Sequence, residues 1–129
     1  MQDLINPHTQ FQFGTIKMLN ANLVEVFIVE GVEVDLDMVI ECEDVMNELM
    51  PGHYGLLLNE TKAHSYSDEA KAYFSEMNNM DAMAVVLNTR FTDVAEKYLQ
   101  SFHEEATWNM KVFYDRGRAL EWLENNCEL

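Results

Sequence analysis

The chain has 129 residues, 48% hydrophobic and 11% aromatic, which is the make-up of one globular domain and not of a disordered segment. Its formal net charge of -15, from 23 acidic and 8 basic side chains, repels phosphate backbones and anionic lipid. Nucleic acid and anionic membranes are thereby set aside as partners, while basic proteins and cations are tolerated. No apolar stretch approaches the roughly 20 residues of a membrane span. Residues 1–7 lack the basic and apolar regions of a secretory signal, so a soluble cytoplasmic domain is expected.

Residues 1–13 read as a lead-in or short edge segment. In Thr15-Ile16-Lys17-Met18 apolar and polar side chains alternate, the pattern of a strand over residues 14–20 with one wet face. Residues 23–29 are apolar nearly throughout and predict a deeper strand. Ala21-Asn22 separates the two, and Asn tolerates the positive φ of a tight hairpin turn. Asp35 is placed to cap a helix that runs to about Met50 and is ended by Pro51-Gly52. Leu36, Val39, Ile40, Met46, Leu49 and Met50 form its apolar arc; Asp37, Glu41, Asp44 and Glu48 form an acidic stripe. Glu43 falls on the apolar side, against the pattern.

Residues 54–58 predict a short buried strand. Ser67 or Asp68 then starts a helix in which Ala70, Tyr73, Phe74 and Met77 share one face. Residues 82–87 are uncharged and predict a central strand. Phe91, Val94, Tyr98 and Phe102 mark a third helix face, residues 110–114 the last strand, and Ala119, Leu120 and Leu123 a closing helix with Trp122 beside the stripe. The order ββαβαβαβα implies an α/β fold, because parallel neighbours need crossover helices. The expectation is a single-layer mixed, mostly parallel sheet of four to five strands with an N-terminal β-hairpin and helices packed on it. No repeat, linker or low-complexity tract interrupts it, so residues 1–129 are read as one domain.

Three stretches give this order a family likeness: Leu56-Leu57-Leu58-Asn59-Glu60 through Ser67-Asp68-Glu69-Ala70-Lys71-Ala72-Tyr73-Phe74, the strand Ala82-Met83-Ala84-Val85-Val86-Leu87 running into a helix near Phe91, and Lys111-Val112-Phe113-Tyr114-Asp115 followed by Arg118-Ala119-Leu120-Glu121-Trp122-Leu123. The chain resembles the SpoIIAA-like branch of the STAS superfamily, small bacterial regulatory and ligand-binding domains. The resemblance implies a sheet with helices on one side and no enzymatic activity. Members of that family switch protein partners through phosphorylation of a serine in a D-S-[ST]-G segment. The corresponding stretch here is His64-Ser65-Tyr66-Ser67-Asp68-Glu69, without the leading Asp and the Gly, which makes Ser67, then Ser65, the candidate phosphorylation sites. A helix N-terminus would hold a phosphate there, whereas Asp68 and Glu69 would repel it; a plain N-cap is the competing reading of Ser67.

Asn59, Glu60, Thr61, His64 and Ser65 leave the carboxyl end of a central strand, where open α/β sheets bind ligands; a solvated loop is the alternative. The stripe Asp37, Glu41, Asp44 and Glu48 is either a docking surface for a basic partner or a solvated helix face. Met38, Met46, Met50, Met77, Met80 and Met83 either fill the core or line an adaptable groove. His8, His53, His64 and His103 are dispersed without metal-ligand spacing, Cys42 has no basic neighbour, and Cys127 stands far from it, so neither metal nor nucleophile is indicated and both thiols are expected free. Arg90, Arg116 and Arg118 are read as partners of internal carboxylates.

The leading expectation is a non-enzymatic, STAS-like regulatory module that binds a protein and uses no cofactor. A small carrier or sensor holding a lipid-like apolar ligand between sheet and helices is the alternative. An enzyme using Glu60 and His64 as acid and base stands third. A homodimer is a further option if residues 23–29 form an exposed edge strand.

Overall fold

The computed structural model describes residues 8–10, 14–60, 65–74, 76–87 and 109–126. Two strands, β2 (Gly14–Asn20) and β3 (Leu23–Ile28), form the expected antiparallel hairpin. Its turn is fastened by the Asn20 side chain, whose Oδ1 accepts from the Asn22 amide at 2.8 Å. A short strand, β1 (His8–Gln10), pairs with the outer side of β2. The polar lead-in thus supplies an edge strand. Gly14 leaves no room for a side chain against β3: a Cβ there would lie 2.2 Å from the Phe27 carbonyl oxygen. After β3 the chain turns at Gly31, whose φ of 84° lies in the left-handed region that glycine adopts without strain.

Helix α1 (Leu36–Leu49) begins at Asp35, whose carboxylate accepts from the Met38 amide at 3.0 Å. It leads to β5 (Tyr54–Glu60), which lies parallel to β3. Helix α2 (Asp68–Phe74) leads to β7 (Met80–Leu87), parallel to β5, and β8 (Met110–Phe113) lies parallel to β7. Between them, β4 (Glu33–Val34) and β6 (Ser65–Tyr66) form a two-residue parallel ribbon that draws the starts of α1 and α2 together. The main sheet has the order β1-β2-β3-β5-β7-β8. The four to five strands expected are present and mostly parallel, with β1 as an addition. The third helix face, Phe91 to Phe102, lies outside the described residues.

Strand β3 sits between β2 and β5, so its apolar run is inside the sheet and offers no free edge for dimerisation. Alternate residues of the central strands feed two separate apolar clusters. Ile16, Val24, Val26, Leu56, Leu58, Met83 and Val85 face α1 and α2, where Met46, Met50, Met77 and Met80 complete the core and Met38 packs at its margin. These methionines are core filling.

The other face carries Leu23, Leu57, Ala82, Ala84 and Val86, covered by Ala119 and Leu123 of the closing helix, α3 (Arg116–Asn126). Phe113 and Trp122 meet there at 5.8 Å between ring centroids. Helices therefore flank both faces, which corrects the one-sided arrangement implied by the STAS resemblance. Helices α1 and α2 connect neighbouring parallel strands laid down in one direction, β3 to β5 to β7, and crossovers of one hand put both on the same face, whereas α3 connects no two described strands and is not held to that face.

Candidate functional site

Strand β3 carries one carboxylate among its apolar residues, and it is the most completely buried charge described. Glu25 has 0% exposure and faces the α3 side. Arg116, the first residue of α3, grips it side-on: its Nε donates to Oε2 at 3.0 Å and its Nη2 to Oε1 at 2.6 Å. Asn59, near the end of β5, donates from Nδ2 to the same Oε2 at 3.0 Å. Both carboxylate oxygens are thus satisfied, the condition for burying a charge without a large penalty. The bond to Glu25 also raises the Arg116 pKa. The internal partner expected for Arg116 is present, and Arg118 lies 3.8 Å from Asp115; Arg90 lies outside the described residues.

The same strand brings large apolar side chains to the surface. Phe27 is aligned with Thr15 on one side and Asn59 on the other, yet α3 does not reach it and 38% of it is exposed. Val29, just past the strand, is 44% exposed. Together with Gly14, Thr15, Glu30 and Asn59 they border an open hollow of about 430 Å³ at the carboxyl end of the sheet. Tyr114, 43% exposed at the end of β8, borders a second hollow with Val112, Phe113, Asp115 and Arg118. Among the described residues, α3 covers the part of this face that carries Leu23, Leu57, Ala82, Ala84 and Val86, with Leu19 of β2 packed at its margin, whereas Phe27 of β3 and Lys17 of β2 are exposed and leave that half open.

Of the residues expected at a site, Asn59 is buried and belongs to the Glu25–Arg116 arrangement instead of a solvated loop. Glu60 is the last residue of β5, and Ser65 opens β6; Thr61 and His64 lie outside the described residues. Ser67 is an N-cap: its Oγ accepts from the Ala70 amide at 3.1 Å, and its own amide donates to the Val34 carbonyl at 2.9 Å. Asp37, Glu41, Asp44 and Glu48 are all exposed along α1, as one stripe.

Glu43, the misfit of the helical wheel, accepts the Tyr73 hydroxyl proton across the α1–α2 contact. That bond, with some burial, pushes the Tyr73 pKa up to about 12. Tyr54, 1% exposed with the carboxylate of Glu43 acting on it, is raised further, burial being the larger cause. Burial first, then Glu41, pushes the Cys42 thiol up to about 12, which leaves it protonated and inert at neutral pH. Cys127 lies outside the described residues.

The space between the sheet and α1/α2, bordered by Val26, Val39, Cys42, Leu58 and Phe74, amounts to about 20 Å³. That is room for about one water, whereas small-molecule sites span roughly 300–1,000 Å³. No described group of His, Cys, Asp and Glu side chains could hold a metal ion. No described helix is long and apolar enough to cross a membrane.

A family model matches residues 18–126, a stretch that includes Glu25, Phe27, Asn59 and Arg116. The chain belongs to the DUF7793 family, a domain of unknown function. No curated protein and no solved structure matches it. Within this DUF7793 domain, Glu25 and Phe27 are the residues that sequence reasoning passed over. The signal was a lone carboxylate in an otherwise apolar strand, which must find a cation once buried.

Proposed function

We propose that this DUF7793 domain is a non-enzymatic, STAS-like regulatory module that binds a partner protein through the open half of its α3-side face. The observation that carries the reading is the pair Phe27 and Val29, large apolar side chains exposed beside a hollow of about 430 Å³ while their strand neighbours are buried. Aromatic side chains are enriched at protein interfaces, and a contiguous exposed apolar patch marks an interaction site. Asn59, held through Glu25 to Arg116, fixes the floor of the hollow. The occupant is a segment with an apolar anchor flanked by Lys or Arg. Glu30 borders the hollow, and the formal net charge of the chain is -15, so a basic segment is steered toward the site.

The test compares immobilised wild-type protein with Phe27→Asp and Val29→Asp variants whose circular dichroism and melting are unchanged. The expected result is a basic protein retained by the wild type, released by salt and lost with either substitution. Retention of the same proteins by both variants, or retention of no basic protein, would overturn the proposal.

A further inference from the structure

We infer that α3 is a hinged cover, which separates from the sheet as a unit while the rest of the domain stays folded, with Arg116 and Glu25 as its latch. Four observations carry this. The cluster under α3 is separated by the sheet from the larger core under α1 and α2, so α3 can leave without disturbing that core. Only Ala119 and Leu123 of the helix are fully buried, Leu120 and Trp122 are partly so, and three of the five sheet residues beneath them, Ala82, Ala84 and Val86 beside Leu23 and Leu57, are short. The charges within α3 are set against its dipole, Arg116 and Arg118 toward the N-terminal end and Glu121 and Glu124 toward the C-terminal end, and the N-cap carboxylate of Asp115, which accepts from the Gly117 amide at 3.0 Å and lies 3.8 Å from Arg118, offsets only part of this. With that charge pattern, 11 residues are too few for the detached helix to hold itself together in water.

The fourth observation is the latch. Glu25 is shielded from water while Arg116 lies on it, and the guanidinium side of the pair is 45% exposed. Opening would return the carboxylate to water, and its regained hydration offsets much of the lost pairing. The hinge is the exposed pair Tyr114 and Asp115, between β8 and α3. Opening would uncover Leu23, Leu57, Ala82, Ala84 and Val86, and would join them to Phe27 through the aligned row Phe27, Asn59 and Val86. The inference concerns the protein alone and does not depend on what binds at Phe27.

Native-state hydrogen exchange on the whole chain tests it. Amides of α3 should exchange as one group, about tenfold or more faster than those of β3, β5 and β7. Arg116→Ala should speed α3 by on the order of tenfold to a hundredfold and leave it the fastest-exchanging of these elements, because Glu25 is then buried without its cation in the closed state. Equal exchange of α3 and the central strands in the wild-type protein would overturn the inference, as would an Arg116→Ala variant in which α3 exchanges no faster than in the wild type. If that variant does not fold, the wild-type comparison decides by itself.

Discussion

Arg116 and Glu25 lie 91 positions apart in the chain and meet through two hydrogen bonds, of 3.0 and 2.6 Å, that fasten the closing helix to the central sheet. The ion pair positions more than it stabilises. Removing one member of a buried pair is destabilising, whereas replacing both by apolar groups of similar size is often close to neutral.

Arg116→Ala is expected to lower the unfolding free energy by up to about 3 kcal/mol. The loss stays at the lower end for such pairs because half-exposure of the guanidinium already admits water, and detachment of α3 rehydrates Glu25. The double substitution Glu25→Leu with Arg116→Leu should cost less than Arg116→Ala alone, the remaining loss being the acceptor taken from Asn59. Urea unfolding followed by circular dichroism measures both. An Arg116→Ala variant as stable as the wild type would show that the pair holds nothing.

Glu43 and Tyr73 give a pH prediction. Tyr73 has its pKa raised in the folded protein to about 12, first by the hydrogen bond to Glu43, against 10.0 as the ordinary value. A raised pKa favours the protonated phenol in the folded state. The contribution is complete below the unfolded value and fades as pH rises through the folded one. Wild-type stability should therefore fall between about pH 10 and 12 more steeply than that of Tyr73→Phe. Parallel melting curves of the two proteins across that window test this, and identical slopes would contradict it.

Much of the fold was legible because strand alternation and helix periodicity are local. Thr15-Ile16-Lys17-Met18 gave the hairpin strand, and Asp35 the helix start. The acidic stripe of α1 is exposed as its spacing required. Glu43 broke the wheel because its partner, Tyr73, sits on another helix. The ribbon of Glu33–Val34 with Ser65–Tyr66 escaped notice because two-residue strands carry no period. The side of the sheet taken by α3 was not legible either, since α3 connects no two described strands and the crossover rule does not reach it. Glu25, Asn59 and Arg116 converge only through tertiary packing, so no spacing between them in the sequence marks the site.

Cys42 offers a chemical check on the packing of α1. With its thiol raised to about 12 by burial and by Glu41, it should resist alkylation at pH 8 in the native protein and react once the chain is unfolded. Peptide mapping by mass spectrometry after a timed dose of iodoacetamide reads this site alone. Rapid native labelling of Cys42 would mean that α1 does not cover the sheet as described.

The claim that the open half-face is the binding surface is tested most directly by amide chemical-shift mapping with a basic partner segment in hand. The account predicts the largest shifts at Thr15, Phe27, Ile28, Val29, Glu30 and Asn59, saturating with added segment and abolished by Phe27→Asp. Shifts confined to the α1 stripe of Asp37, Glu41, Asp44 and Glu48, with the residues around Phe27 unmoved, would contradict it.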